Sequence, residues 1–391
     1  MALRTDPFAG KNVTKSKPTP FFNRVGYVEL DFGADSKGGK GEVIAFKGLD
    51  FKFKITLACP EYPKGTVEVS ILGLNQETIN RITELTTWDQ AMNHGKRVRV
   101  YAGYAKPEDP SYEGDLLCDM EIGYATPTTT PPEVWLTITG FPRFSDRTEE
   151  ISVNLPDRKS VKEEILWEPH IAREFDSYKK IYTFEQLCKD VVRIINDGYK
   201  EQSKQNGSPP PYEIELDFQA DDYAMWEMSQ FTHTGTVADL IKKMNDLDEN
   251  HLVKLYFESR KGEHKDYLVV KALDSAEDSK GNGGTAGGGN LGGQKTTTKQ
   301  ILDVEHGLIG LPSLIQGMNL RCRSLLSPNL KIADWIELKS VIIPKMNGYW
   351  RINEVTHSGH LRGNEWYTDI NAKNPEVIDL VGDSGSGSVS K

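Results

Sequence analysis

Apolar and polar residues alternate at period two through much of the first 141 positions of the chain. "YVELDF" (Tyr27–Phe32), "FKFKITL" (Phe51–Leu57), "TVEVSILGL" (Thr66–Leu74), "KRVRVYAGY" (Lys96–Tyr104) and "VWLTITGF" (Val134–Phe141) all carry the pattern. Successive side chains on a strand point to opposite faces, so each segment predicts a strand with one buried and one wetted side. In the second segment Phe51, Phe53, Ile55 and Leu57 form the buried side, and Lys52, Lys54 and Thr56 the wet one. Gly, Pro and Asp separate the strands, which predicts a β-barrel or sandwich over residues 21–150. One short helix interrupts it at Asn75–Leu85, where Ile79, Ile82 and Leu85 recur at helical spacing.

Beyond residue 150 the period changes. "TFEQLCKDVVRIINDG" places Phe184, Leu187, Cys188, Val191, Val192 and Ile195 on one face of a helix. Thr183 and Gln186 have the spacing of a capping box, and Gly198 is expected to end the helix. A strand, "YEIELDF" (Tyr212–Phe218), precedes a second helix with Thr236 as N-cap and Val237, Leu240, Ile241, Met244 and Leu247 on its apolar face. The strands "HLVKLYFE" and "DYLVVKAL" follow, joined by the charged turn "SRKGEHK". Residues 151–278 therefore predict a compact α+β domain, different in kind from what precedes it. The glycine-rich run Ser279–Gln294 lacks the strand–loop–helix setting and the G-K-[ST] of a phosphate cradle, so 279–300 is expected to be a loop or linker. Strand patterns return over 301–375. Polar residues 1–20 and 376–391 are expected to be a flexible arm and a disordered tail.

Charge narrows the function classes. The 391 residues carry a formal net charge of −10, with 27% charged and 37% hydrophobic residues. That balance argues against a general nucleic-acid-binding surface and against docking on an anionic membrane. It suits the wall of a channel that nucleic acid must pass without sticking. No stretch approaches the roughly 18 apolar residues of a membrane span, and no membrane insertion is expected. The first 20 residues have no apolar segment long enough for a signal peptide. Cys59, Cys118, Cys188 and Cys322 are scattered, which predicts free thiols in a reducing cytosol.

Candidate chemistry gathers in "NGYWRINEVTHSGHLRGNEWYTDINA" (Asn347–Ala372). His357 and His360 lie three apart, with Glu354, Glu365 and Asp369 nearby. Zinc requires three or four converging ligands, and residues i and i+3 of an extended strand face opposite ways. A hairpin is the expected structure, with Gly359 and Gly363 turning the chain and Trp350, Ile352, Trp366 and Ile370 packing. There is no G-x-S-x-G elbow, and no cysteine lies in a catalytic local signature. Acidic pairs such as Asp221–Asp222 and Glu163–Glu164 suit a solvated surface. The expectation is no enzyme, with no catalytic, cofactor-binding or metal-ligating residues and no cofactor. Trp350, Trp366 or Tyr367 would serve a sugar-binding surface only if exposed.

The same hairpin follows "EHGLIGLPSLIQGMNLRCRSLLSPNLKIADWIELKS" (Glu305–Ser340). In that order the two segments resemble the C-terminal part of baseplate hub proteins of contractile-tailed bacteriophages. "FKFKITLACPEYPKGTVEVSILGLNQETINRI" is similar to the N-terminal barrel of that family, and the likeness covers most of residues 22–375. It implies a mainly β fold in which two tail-tube-like antiparallel β-barrel domains flank the central α+β domain. It further implies a structural homotrimer in the virion baseplate, assembled in the host cytoplasm. Such a ring adapts a sixfold tail tube to a threefold spike and lets DNA pass. Expected partners are tube or tube-initiator proteins above and the spike below, with baseplate wedge and tape-measure proteins as further candidates. The alternatives left open are a tail-associated cell-wall-degrading enzyme and a glycan-binding β-protein.

Overall fold

A computed structural model describes residues 23–33, 42–58, 65–86, 96–130, 133–141, 151–154, 183–206, 213–226, 231–247, 253–260, 265–272, 299–315 and 319–373. The predicted arm, glycine-rich linker and tail lie mostly or wholly outside these residues, as does Cys59. Each early period-two segment forms a strand: β1 (Arg24–Asp31), β3 (Asp50–Ala58), β4 (Thr66–Leu72), β5 (Arg97–Tyr104) and β7 (Glu133–Phe141). The pattern missed the short β2 (Val43–Phe46) and the long β6 (Asp115–Thr130), whose sequence does not alternate cleanly. Helix α1 (Gln76–Leu85) begins where Asn75 Oδ1 accepts a hydrogen bond from the amide of Thr78 at 2.7 Å. On β3, Phe51, Phe53 and Ile55 are buried while Lys52 and Lys54 are exposed, as the alternation requires.

The middle of the chain contributes β8 (Ile151–Asn154), α2 (Phe184–Asn206), β9 (Ile214–Gln219), β10 (Thr232–Gly235), α3 (Val237–Asn245), β11 (Val253–Ser259) and β12 (Asp266–Ala272). The capping box forms in both directions, Thr183 N–H to Gln186 Oε1 and Gln186 N–H to Thr183 Oγ1, each at 3.3 Å. Gly198 does not end α2, which continues to Asn206. No atom lies within 4 Å of where its Cβ would be, so the glycine costs only its backbone entropy, about 1 kcal/mol, and the helix carries on. Strands β11, β12 and β9 make a three-stranded sheet, antiparallel between the first pair and parallel between β12 and β9. Leu255, Leu268 and Val270 on this sheet pack with Leu187 and Val191 of α2 and Leu240 of α3.

The last part supplies β13 (Lys299–Leu302), β14 (Leu308–Ile315), β15 (Asn319–Leu325), β16 (Trp335–Leu338), β17 (Gly348–His360) and β18 (Trp366–Lys373). The fold is thus mainly β with large antiparallel sheets and an α+β part, as expected. How the two strand-rich segments relate is not visible in the sequence. They share one 13-stranded sheet, ordered β14-β15-β18-β17-β3-β4-β7-β6-β5-β1-β2, with β13 and β16 attached beside β17. They are joined because β3 gives one edge to β4 and the other to β17, and among the described residues the order stays open, since its end strands β14 and β2 do not pair. Two apolar clusters line this sheet. One centres on Phe51, Val69 and Val98 and takes in Trp366, and the other centres on Ile336, Trp350 and Ile352. Cys118 and Cys322 are buried in these clusters and Cys188 in the middle one, and burial raises all three thiols, Cys322 to about 12.

Candidate functional site

The polar groups of the β17–β18 hairpin go to separate places. His357 is 1% exposed, with Nδ1 3.0 Å from Thr368 Oγ1. Three residues on, His360 faces the other way and sets Nε2 3.1 Å from Asp50 Oδ2. Glu354 accepts from Asn371 Nδ2 at 3.1 Å, and Asp369 takes the Arg323 guanidinium through two bonds of 2.7 and 2.9 Å. Glu365 lies exposed in the turn. Among the described residues no three His, Cys, Asp or Glu side chains are grouped to hold a metal ion. Trp350 and Trp366 are buried, which removes two of the three rings considered for a sugar platform. Tyr367 is half-buried under Arg323, whose guanidinium carbon lies 5.4 Å from the ring centre.

Gly363 sits in the turn, whereas Gly359 lies inside β17 rather than at the bend. Its role is close approach: a Cβ there would stand 2.4 Å from Phe53 Cζ and 2.8 Å from Trp366 Cε3. Phe53 and Trp366 meet edge to face across this gap, 5.5 Å between centres. Gly359→Ala is therefore expected to lower unfolding stability by about 1–3 kcal/mol, the usual cost of overpacking. A urea midpoint that does not move would refute that account.

Burial without a charge partner pushes the His357 pKa down to about 4. An unfolded chain titrates this group near 6.5, so between those values the unfolded state binds more protons. The contribution is intact above pH 6.5 and is lost as pH falls towards 4, on the order of 3 kcal/mol in all. Urea midpoints compared at pH 7 and pH 4.5 should show this slope, and His357→Gln should remove that part of it.

A second constellation was not legible beforehand. The alternation in "KRVRVYAGY" puts Arg97 and Arg99 opposite Val98 and Val100, on the side expected to be wet, yet they are 3% and 6% exposed. Arg97 Nε bonds Asp119 Oδ1 at 2.6 Å, and its two terminal nitrogens reach Asp266 at 2.9 and 3.1 Å. Arg99 bonds Asp119 Oδ2 at 3.0 Å, Glu29 Oε1 at 2.6 Å and Asp31 Oδ2 at 3.0 Å. Burial alone would disfavour charge on Arg97, but the fields of Asp119 and Asp266 outweigh it and raise its pKa. These carboxylates are committed to guanidiniums, an arrangement that holds strands together rather than one that passes protons. The available signal was cross-strand: Glu29 stands opposite Arg99, and Arg99 opposite Asp119.

Apolar side chains also stand out in solvent. On β14, Leu311, Leu314 and Ile315 are 59%, 49% and 41% exposed, and on β2 Val43 is 51% exposed. These two strands are the opposite ends of the 13-stranded sheet order. No helix of the described residues is long and apolar enough to cross a membrane.

No family model and no curated protein matches the chain. Among solved structures, it is similar to the prophage MuSo2 43 kDa tail protein from Shewanella oneidensis, at 12% identity, covering 90% of this chain and 98% of that one, with a TM-score of 0.44. The tail protein from Neisseria meningitidis MC58 has 8% identity, coverage of 91% and 98%, and a TM-score of 0.45. The E. coli c3393 protein, described as a component of the type VI secretion system, has 11% identity, coverage of 83% and 73%, and a TM-score of 0.41.

Proposed function

We propose that this chain is a structural subunit of a phage tail or a related contractile apparatus, and within it the baseplate hub. Three copies form a ring between the tube and the spike, and its wall lets DNA through. The observation that carries the reading is the single sheet ending on two unlike edge strands, β2 and β14, each with one edge without a partner strand among the described residues and both with exposed apolar side chains. Unlike surfaces meet head to tail, and such contacts close into a ring when the rotation permits. Free edges of this kind are a hazard unless something covers them. The order of the "GLIGLP" segment and the β17–β18 hairpin, which resembles the hub family, supports the same assignment. The net charge of −10 suits an acidic lumen, and an inner wall that is predominantly basic would count against DNA sliding through.

Native mass measurement of the purified chain, alone and mixed with tube and spike proteins, tests the ring. The expected species has three times the 43.8 kDa mass of one chain. A chain that stays monomeric in every mixture sinks the proposal. Leu314→Asp combined with Ile315→Asp places charge on the β14 edge and is expected to weaken assembly by about tenfold or more, with the monomer still folded. Steady turnover of a cell-wall polymer by the pure chain would instead favour an enzyme.

A further inference from the structure

The three-stranded sheet β11-β12-β9 has two unlike faces. On one, Val253, Leu255, Phe257, Leu268 and Val270 join the apolar cluster with α2 and α3. On the other lie Lys254, Tyr256, Glu258, Tyr267 and Lys271, with Val269 as the buried aliphatic among them. The cluster under the helices shares no residue with the two clusters of the 13-stranded sheet. Among the described residues, ionic and polar side-chain contacts reach from this sheet to the rest of the chain, and Val269 is the apolar side chain covered on the same face. Asp266, at the start of β12, is paired with Arg97. Lys271 Nζ is 2.7 Å from Asp334 Oδ1, and Glu258 pairs with Lys331. The Arg351 guanidinium lies 3.5 Å from the carbonyl oxygen of Ala272.

We propose that the helix-bearing module, comprising α2, α3 and the sheet β11-β12-β9, is a swinging unit. It docks on the large sheet through a charged joint, of which Arg97–Asp266 is the lock, and leaves as an intact body when the lock is broken. The physical basis is the separation of forces. Apolar burial is non-directional, and here it holds the module together internally, whereas a buried ion pair depends on both partners. Removing Asp266 leaves the buried Arg97 only Asp119, which Arg99 already shares, so the docked state loses far more than the module's own core does. The inference stands apart from the ring assignment, since it concerns one chain.

The test uses the full chain with spin labels on cysteines placed at exposed Lys54 on β3 and exposed Lys189 on α2. Burial protects Cys118, Cys188 and Cys322 from the reagent, and Cys59→Ser removes the remaining thiol. The unmodified joint should give one narrow label–label distance. Asp266→Asn should raise the population of separated molecules by about a hundredfold, with helical circular dichroism unchanged. Lys271→Ala with Lys331→Ala, at less buried positions, should shift the same equilibrium in the same direction by a smaller factor. It supplies the reading should Asp266→Asn fail to fold. A narrow distance in the variants overturns the proposal. So does separation accompanied by loss of the helical signal, because module and joint would then be one cooperative structure.

Discussion

Asp119→Ala is expected to lower the stability of the chain by about 3–5 kcal/mol. Its two carboxylate oxygens are divided between the guanidiniums of Arg97 and Arg99, at 2.6 and 3.0 Å, and its side chain is 4% exposed. Alanine leaves two buried cations sharing the remaining carboxylates. The loss follows from that stranded charge and not from any large net strength of the network. Replacing all members with apolar residues of similar shape would cost much less. Chemical denaturation of Asp119→Ala beside a variant with Arg97→Met, Arg99→Met, Glu29→Met, Asp31→Leu, Asp119→Leu and Asp266→Leu, which removes every charge of the network, separates the two accounts. An all-apolar variant less stable than the single one would show that the ion pairs themselves hold these strands.

Trp366→Ala should cost a similar amount, about 3–5 kcal/mol, through the cavity it leaves. The indole is 1% exposed and belongs to the cluster built mainly from the first strands, although every other buried member except Leu326 lies at or before Ile138 in the chain. Phe53 packs against its face and Arg24 sits over it with the guanidinium carbon 5.5 Å from the ring centre. The Arg24 side chain also donates to the carbonyls of His360 and Gly363, pinning the hairpin turn to β1. If Trp366 belonged to the C-terminal strands alone, the variant would leave amide protection in β3 and β4 unchanged. Loss of protection there, together with β18, is the expected outcome.

Local periodicity carried the strands and helices well because each depends on neighbours within a few residues. Phe51, Phe53 and Ile55 on β3 needed only the alternation, and Thr183, Gln186 and Thr236 needed only the geometry of a helix start. The errors lie where a distant segment decides. Arg97 and Arg99 alternate as a wet face should, and only the arrival of Asp266 from β12 and the flanking Glu29, Asp31 and Asp119 makes their burial tolerable. Gly359 resembles a turn residue until Phe53 and Trp366 are brought against it. The two histidines were correctly expected on opposite faces, since the strand's own geometry dictates it.

The β3–β17 ladder sets a timetable for synthesis. Thr56 pairs with Thr356, so β3 cannot complete its second edge until 300 further residues have been made. At about 5–20 residues per second on the ribosome, that wait is roughly 15–60 s. Throughout it the backbone groups of β3 destined for β17 stay unmatched, and the first apolar cluster lacks the Trp366 ring that covers Phe53. The nascent chain is therefore most prone to mispairing with its neighbours on a polysome late in translation, just before the last hairpin emerges.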